Sequence, residues 1–389
     1  MKKTPLISRE RLRKMIPTVS VLLAAAVIFL LAWNWASPEP EEGLSASEYA
    51  EYESCTVLTI LADSTEPDPS ADGGYRGDQL MLVEVTSGQY KGKTLQVYNY
   101  VGPLYGEPLS EGDEAVLIIS TYADGSFVGS VYEYNRAAPL AIVVALFLIA
   151  AIVVGGKTGA KSLVGLILTL ACLFFVLIPG LLKGAPTLPT VFLTCAYIAV
   201  VSLTILGGVS RKTVCAMLGT IAGTALALLF GLLAQSLVRI DGLRLDDVEP
   251  LLQLRQQGAE IGLRGLLVGG VVISALGAVM DVTMGIASSL SEVSAANPEM
   301  NRWQLFRSGM NIGRDMVGTM TNTLILAFLG SSFTLIMYLY TIGLSYHQLM
   351  SSPYLSIEVV SGVSSSIGVI LSIPLTALIC AFFYAPKQK

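Results

Sequence analysis

Two sets of polar residues in the C-terminal half of the chain recur at the spacing of one helical face. The first set is Ser274, Asp281, Ser288 and Glu292, separated by seven, seven and four residues. The second set is Asn311, Asp315, Thr319 and Asn322, separated by four, four and three residues, with Arg314 beside it. Residues at such intervals lie along one stripe of an α-helix. We expect the two helices to be adjacent and antiparallel, with their polar stripes facing each other.

The segments that contain these stripes are otherwise apolar, so the carboxylates are predicted to lie inside a membrane. A charged side chain at the bilayer centre costs about 2.5 to 3.5 kcal/mol on insertion scales, which disfavours a lipid-facing Asp281. Intramembrane carboxylates often line transport pathways. Asp281 and Asp315 would then be the central charges of a hydrophilic path for a cation or proton. Its neutral ligands would be Ser288, Asn311, Thr319 and Asn322. Glu292 and Arg314 would form its cytoplasmic mouth, where they could make an ion pair.

Two other interpretations of these residues remain open. In the first, the polar side chains only stabilise the bundle, each hydrogen bond contributing about 0.6 to 2 kcal/mol in a membrane. In the second, Asp281 and Asp315 are the acid/base pair of an intramembrane aspartyl protease. The G-x-G-D signature of such enzymes is absent, since a methionine and an arginine precede the two aspartates. We therefore predict that the protein is not an enzyme.

The composition indicates a membrane protein. Of the 389 residues, 53% are hydrophobic and only 14% are charged, which is too apolar for a soluble protein of this size. Residues 1–14 hold six basic residues and are predicted to be cytoplasmic. Residues 15–36 supply the run of about 20 apolar residues that a bilayer requires. We interpret them as an uncleaved anchor rather than a signal peptide, because the run is long and lacks an A-x-A site.

Seven further apolar runs predict a helical bundle over residues 138–389. They cover residues 138–154, 162–179, 188–206, 213–238, 264–288, 315–340 and 359–384. With the anchor, they make about eight transmembrane helices and place both termini on one side. Fifteen of the 24 Lys and Arg residues lie on that side, so the positive-inside rule makes both termini cytoplasmic. The loop 239–264 carries both signs of charge and is interpreted as a short amphipathic helix on the membrane surface.

Pairs of glycines four residues apart occur within these apolar runs. The pairs are Gly219 with Gly223, Gly265 with Gly269, and Gly309 with Gly313. Such spacing lets the backbones of two membrane helices approach closely. We expect these glycines to mark contacts between helices.

Residues 37–137 are polar and acidic, and predict a small β-rich domain outside the cytoplasm. Runs rich in β-branched and aromatic residues lie between turn clusters at residues 56–61, 80–86, 95–101, 115–121 and 127–134. Alternating apolar and polar residues give each strand one buried face. Five short strands suit an OB-like barrel or a sandwich. This domain could bind a ligand or a protein partner, or act as a passive cap.

Other classes of site are not supported by the sequence. Four of the five cysteines lie in apolar runs and only Cys55 lies in the polar region, so neither a disulfide framework nor a zinc spacing is present. The only histidine, His347, has no cysteine or acidic residue at metal spacing. We predict neither a metal nor a cofactor, and nothing indicates nucleic-acid binding. The segment 151–158 resembles a P-loop, but Ala151 replaces its first glycine.

The polar segment also resembles a known family. The resemblance rests on residues 277–282, 286–290 with Glu292, 306–315 and 318–324. They are similar to the YibE/F family of bacterial multi-helix membrane proteins, and the likeness extends from about residue 140 to the end. The N-terminal anchor and the β-rich domain are similar to the longer, YibE-like arrangement. The resemblance implies a multi-pass protein of the bacterial plasma membrane and marks residues 281–322 as the functional segment, without supplying a substrate.

These observations predict a permease or channel-like protein that moves an ion or small solute between the sixth and seventh transmembrane helices. Its partners would be the lipid bilayer and that solute. The alternative is a non-transporting sensor or assembly partner that binds a ligand or protein through its extracytoplasmic domain. An exposed aromatic or basic groove on that domain would favour the alternative, whereas a water-filled cavity at Asp281 would favour transport.

Overall fold

The structure, a computed structural model, describes residues 9–37, 50–122, 127–245, 248–256 and 260–386. The chain divides into two compact units. One unit comprises Met1–Glu39 with Ala151–Lys389, and the secondary structure of its described residues is helical. The other unit, Pro40–Ala150, contains all the strands in the described part of the chain.

The second unit is built on six strands. They are β1 (Ala50–Asp63), β2 (Glu66–Pro67), β3 (Tyr75–Val85), β4 (Thr94–Val101), β5 (Glu114–Thr121) and β6 (Phe127–Tyr134). β1 is long enough to pair antiparallel with both β3 and β5. β3 also pairs antiparallel with β4, and β5 pairs antiparallel with β6. A parallel pairing of Tyr98 with Ser130 joins β4 to β6 and closes a five-stranded barrel. The barrel alternative of the prediction is therefore confirmed.

The barrel interior is apolar except for one amide network. Alternating side chains of β1, β3, β4 and β5 fill it, and the fully buried ones include Cys55, Met81, Val97 and Leu117. Gln79 is also buried. Its amide donates to the Asp63 carboxylate at 3.0 Å and to the Leu109 carbonyl at 3.1 Å. Its oxygen accepts from the Leu109 N–H at 2.9 Å and from the Asn99 amide at 3.0 Å. The network fixes the loop before β5 onto β3 and β4.

Cys55 provides a test of the barrel because its thiol is inaccessible. The residue has no exposed surface, and burial raises the pKa of the thiol to about 11. Since the thiolate is the reactive form, we expect Cys55 to react with a maleimide at least about a hundredfold more slowly than an exposed cysteine at the same pH. Mass spectrometry of the Cys55 peptide in the native and urea-unfolded protein measures the ratio. Rapid labelling of the native protein would contradict this barrel core.

The helical unit and the segment that leads into it contain eleven α-helices in the described residues. They are α1 (Arg9–Ala36), α2 (Ala137–Cys172), α3 (Ile178–Leu182), α4 (Thr187–Gly207), α5 (Arg211–Val238), α6 (Val248–Gln256), α7 (Leu266–Ala296), α8 (Arg302–Ser331), α9 (Phe333–Thr341), α10 (Tyr346–Met350) and α11 (Pro353–Tyr384). A π-helical turn at Leu173–Leu177 joins α2 to α3. α6 confirms the short helix predicted in the loop 239–264.

Six helices of the described chain are long and apolar enough to cross a membrane, and a seventh is added if α8 and α9 count as one bent span. α8 and α9 meet at an angle of 61° around Ser332, inside the single span predicted for residues 315–340. One of the six, Ala137–Leu182, has 46 residues. At about 1.5 Å per residue it would be about 69 Å long, roughly twice the hydrocarbon thickness of a bilayer.

This long helix is interrupted at Gly156. Its φ of 55° and ψ of −133° are not helical and favour glycine. Beyond the break, Gly159 lies so close to the carbonyl oxygen of Ala151 that a Cβ would overlap it. In a straight helix, two residues eight positions apart, such as Ala151 and Gly159, would be separated by about 12 Å along the axis. The chain therefore turns back sharply at this break. The break falls between the two helices predicted at residues 138–154 and 162–179.

α5 lies very close to α7 and α11. A Cβ added to Gly223 would lie 2.6 Å from Ser372 Cβ of α11 and 2.8 Å from Val279 Cγ1 of α7. One added to Gly368 would lie 2.6 Å from Ala227 Cβ. The predicted role of the glycine pairs in helix contacts is confirmed here. These three helices form the centre of the bundle.

Candidate functional site

α7 and α8 form the antiparallel pair that contains the candidate site. Near the loop that joins them, a Cβ added to Gly309 of α8 would lie 2.9 Å from Leu290 Cδ1 of α7. Further along, a Cβ added to Gly285 of α7 would lie 3.0 Å from Met316 Cε of α8. The adjacency and the antiparallel direction predicted from the sequence are therefore confirmed.

A second side of α8 is covered by α11. A Cβ added to Gly309 would lie 2.8 Å from Ala377 Cβ, and Gly313 is in close contact with Ile373. Gly309 and Gly313 are both buried. At about 100° per residue, they lie on the side of α8 opposite to Asn311. The contact with α11 therefore leaves the polar stripe uncovered.

The polar stripe of α8 is exposed along its length. Asn311, Arg314, Asp315, Thr319 and Asn322 are all exposed. The Thr319 hydroxyl donates to the carbonyl oxygen three residues earlier at 3.1 Å. Within the described chain, no hydrogen bond or salt bridge engages the other four side chains. Their hydrogen-bonding capacity is thus free.

Asp281 occupies the middle of α7. Fifteen residues, or about 22 Å, separate it from either end of the helix. It is exposed, and its carboxylate has no hydrogen bond or salt bridge to another described residue. Gly285, one turn further along α7, contacts Met316. Because α7 and α8 are antiparallel, Asp281 is level with about residue 320, beside Thr319 of the α8 stripe.

No hydrogen bond or ion pair joins the two stripes in the described part of the chain, and Asp281 and the stripe residues of α8 are exposed. Gly285 and Met316 contact each other where α7 and α8 pack together. Helical spacing determines which residues share a face. It does not determine which neighbour covers that face, and here α11 covers the side opposite to the stripe.

Ser288 and Glu292 lie at one end of α7 beside the start of α5. They line a polar cleft of about 440 Å³. The other lining residues are Gly207, Ser210, Arg211, Lys212, Ser291 and Tyr384. The Lys212 ammonium donates to the Ser288 hydroxyl at 3.5 Å. The predicted ion pair of Glu292 with Arg314 is not formed in this structure, and the cations that share the cleft with Glu292 belong to α5.

Sequence reasoning missed a set of buried hydroxyl groups between α5, α7 and α11. Three hydrogen bonds join different helices. The Thr220 and Thr283 hydroxyls bond at 2.8 Å, and Ser365 bonds the hydroxyl of Ser274, already a member of the predicted stripe, at 3.0 Å. The Ser365 hydroxyl also donates to the Val271 carbonyl at 3.3 Å. The hydroxyls of Thr224, Ser372 and Thr376 instead donate to carbonyls of their own helices. The run 364–366, three serines inside an apolar helix, was the available signal.

Glu358 is a further carboxylate that sequence reasoning missed. It lies six residues into α11, just before the predicted start of that span. It lines a small apolar cavity of about 150 Å³ with residues of α8 and α9, among them Phe328 and Leu335. The acidic residues of the bundle are dispersed, and the described part of the chain has no group of three or more His, Cys, Asp or Glu side chains that could hold a metal ion.

A comparison with known protein families identifies the family to which the chain is similar. The sequence profile of YibE/F-like proteins matches residues 143–386, which is more than half of the chain. The chain belongs to the YibE/F-like family. No curated protein and no solved structure matches it. Its family and its long apolar helices together make it a membrane protein.

The YibE/F-like region includes the whole candidate site. It covers α7, α8 and α11, and begins after the last strand of the barrel. The resemblance seen in residues 277–324 is therefore confirmed. The barrel and α1 lie outside the matched region.

Proposed function

We propose that this YibE/F-like protein is a permease or channel-like protein that moves an ion or small solute along the polar face of α7 and α8. The observation that supports this most is Asp281. A carboxylate at the middle of a long apolar helix, without a protein partner in the described chain, is costly unless water or a solute reaches it. A purely structural carboxylate would be paired.

The proposed pathway assigns a role to each polar residue of the face. Asp281 and Asp315 attract a cation or bind a proton. Ser288, Asn311, Thr319 and Asn322 provide neutral oxygen ligands. Glu292 and Arg314 lie toward the cytoplasmic mouth, where Arg211 and Lys212 add positive charge to the cleft. The chemistry is binding and release, without a covalent step.

The same proposal includes a topology in the bacterial plasma membrane. If the chain crosses once before and once after Gly156, and once through α8 with α9, it crosses eight times in total. Both termini are then cytoplasmic and the barrel is extracytoplasmic. The sharp reversal at Gly156 supports this count. Lys157 and Lys161 beside it fit a cytoplasmic turn.

A flux experiment on the reconstituted full-length protein tests the proposal. Liposomes receive imposed gradients of protons, sodium, potassium, magnesium and small neutral solutes, followed with trapped dyes or by light scattering. We expect Asp281→Asn to lower the flux of the transported species at least about tenfold, because the charge at mid-membrane is removed without loss of volume. Glu299→Gln is the matched control, since Glu299 is an exposed carboxylate in the loop between α7 and α8.

Two outcomes would contradict the permease. One is a folded wild-type protein that moves none of these species. The other is a flux that Asp281→Asn leaves unchanged, which would place the pathway elsewhere. Size-exclusion profiles of both variants show whether they remain folded.

A second candidate function rests on the outer surface of the barrel. Tyr98 and Tyr100 of β4 are exposed and their rings stack with centroids 5.9 Å apart. Tyr52 of β1 and Tyr132 of β6, two strands separated by β5, form an exposed edge-to-face pair at 5.2 Å. Exposed tyrosines are frequent at binding surfaces. They favour a sensor or assembly partner, and this candidate would replace the permease if the wild-type protein shows no flux.

A further inference from the structure

The exposed residues of α8 form a regular seam. The seam consists of Asn311, Asp315, Gly318, Asn322, Ile325 and Leu329, separated by four, three, four, three and four residues, and all six are exposed. It spans 18 residues, or about 27 Å. Alternating intervals of four and three are the pattern by which one helix packs along another in a coiled coil. Ile325 and Leu329 also line the apolar cavity beside α9 and α11. The rest of the seam, from Asn311 to Asn322, is a packing surface that no helix in the described chain covers.

Glycines provide an independent observation. The buried glycines of the bundle, such as Gly223 and Gly309, have neighbours with which a Cβ would clash. Gly318 in the seam and Gly270 and Gly277 on the exposed side of α7 have nothing within 4 Å of an added Cβ. Glycine is unfavourable in a helix interior unless close packing requires it. If a helix of another chain packed against these three glycines, they would allow the close helix contact that the buried glycines allow within this chain.

We propose that the seam packs against the same seam of a second copy of this chain. Both copies have the same orientation in the membrane, so a two-fold axis along the membrane normal would bring the two α8 helices together in parallel. Residues at the centre of the seam then meet their own counterparts. Asn311 and Asn322 can do so because each amide has both a donor and an acceptor. Gly318 allows the closest approach of the two helices.

The charges at the two edges of the seam, Arg314 beside it and Asp315 within it, are self-complementary. At about 100° per residue, Arg314 and Asp315 lie on opposite edges of the seam. In a parallel two-fold pair, each edge of one copy meets the opposite edge of the other, as in the flanking positions of a coiled coil. Arg314 of each copy therefore lies beside Asp315 of the second copy. Lipid or an apolar partner would leave all four charges unpaired in the membrane.

The inference deepens the proposed function and rests on it for the position of the pathway. In the described chain no helix covers Asp281 or the polar stripe of α8, so the proposed pathway lacks a wall on that side. A second copy supplies that wall. Thr319 and Asp281 lie beside the seam toward α7, so they would be enclosed between the two chains.

Cysteine crosslinking of the full-length protein in its membrane tests the interface. All five native cysteines are buried, which keeps the background low. We expect most of Gly318→Cys to form a disulfide-linked dimer on mild oxidation. The control is Leu229→Cys on α5, a position 59% exposed and outside the seam. Crosslinking of Gly318→Cys no greater than that of the control, with a monomer in native mass spectrometry, would overturn the proposal.

A charge exchange tests the register of the seam. We expect Arg314→Glu to weaken dimerisation at least about tenfold, because two Arg–Asp contacts are lost together. Adding Asp315→Arg to that variant restores opposite charges at the same contacts and should restore the dimer. Failure of the double variant to restore it would contradict this pairing.

The two proposals can fail separately. A dimer through Gly318 without flux of any tested species would leave the interface standing and contradict the permease. Flux through a monomer would support the permease and contradict the interface.

Discussion

Gly223→Leu is expected to abolish the folded bundle. Its Cβ would lie 2.6 Å from Ser372 Cβ and 2.8 Å from Val279 Cγ1, so α11 and α7 would both have to move. α11 cannot adjust by a side-chain rotation, because Ser372 Cβ is fixed to the backbone and the Gly368 carbonyl oxygen would lie 3.4 Å from the added Cβ. Overpacking of a core typically costs about 1 to 3 kcal/mol, and we expect a value at or above the top of that range.

Size-exclusion chromatography and thermal unfolding of the detergent-purified protein measure this effect. Gly330→Leu is the matched control, since nothing lies within 4 Å of a Cβ added to Gly330 of α8. We expect the control to elute and unfold like the wild type. A Gly223→Leu protein with an unchanged profile would show that α5 does not lie this close to its neighbours.

Gln79→Leu is expected to unfold the barrel. The change removes four hydrogen bonds and leaves the Leu109 N–H, the Leu109 carbonyl and the Asn99 amide without their partner in the interior. Each unsatisfied buried group costs about 1 to 3 kcal/mol. The sum for three groups, about 3 to 9 kcal/mol, is comparable to the whole stability of a small domain.

The rate of maleimide labelling at Cys55 reports the result in the full-length protein. We expect labelling of Gln79→Leu to approach the rate of the urea-unfolded chain. Gln96→Leu is the control, because Gln96 lies on the outer face of β4 and is exposed. Equal protection of Cys55 in both variants would mean that the amide network does not stabilise the barrel.

Several parts of the barrel could be predicted from the sequence, and others could not. Alternation located five strands, because each has one face in the interior. It did not reveal that β1 begins at Ala50, or that the single pairing of Tyr98 with Ser130 closes the barrel. The length of a strand and the closure of a barrel depend on partners distant in the chain. Leu109, which makes two of the four hydrogen bonds to Gln79, comes from the loop before β5, which has no periodic pattern.

In the candidate site too, some features could be predicted from the sequence and others could not. Spacing correctly predicted adjacent antiparallel helices with one polar stripe each. It could not predict that α11 covers the opposite side of α8, because that depends on contacts such as Gly313 with Ile373. Glu358 was missed since it lies at the edge of an apolar run. The buried hydroxyls were missed because serine and threonine hardly alter the hydropathy of a helix.

The hydroxyl groups between α5, α7 and α11 affect how these helices can move. Thr224, Ser372 and Thr376 donate to carbonyls of their own helices, so these bonds persist when neighbouring helices are displaced. The contact made by Gly223, Gly368 and Ala227 is smooth because their side chains are small or absent. Such a surface fixes the distance between two helix axes but resists axial sliding only weakly. It is therefore suited to shear, the small sliding of packed helices by which many proteins change between two states.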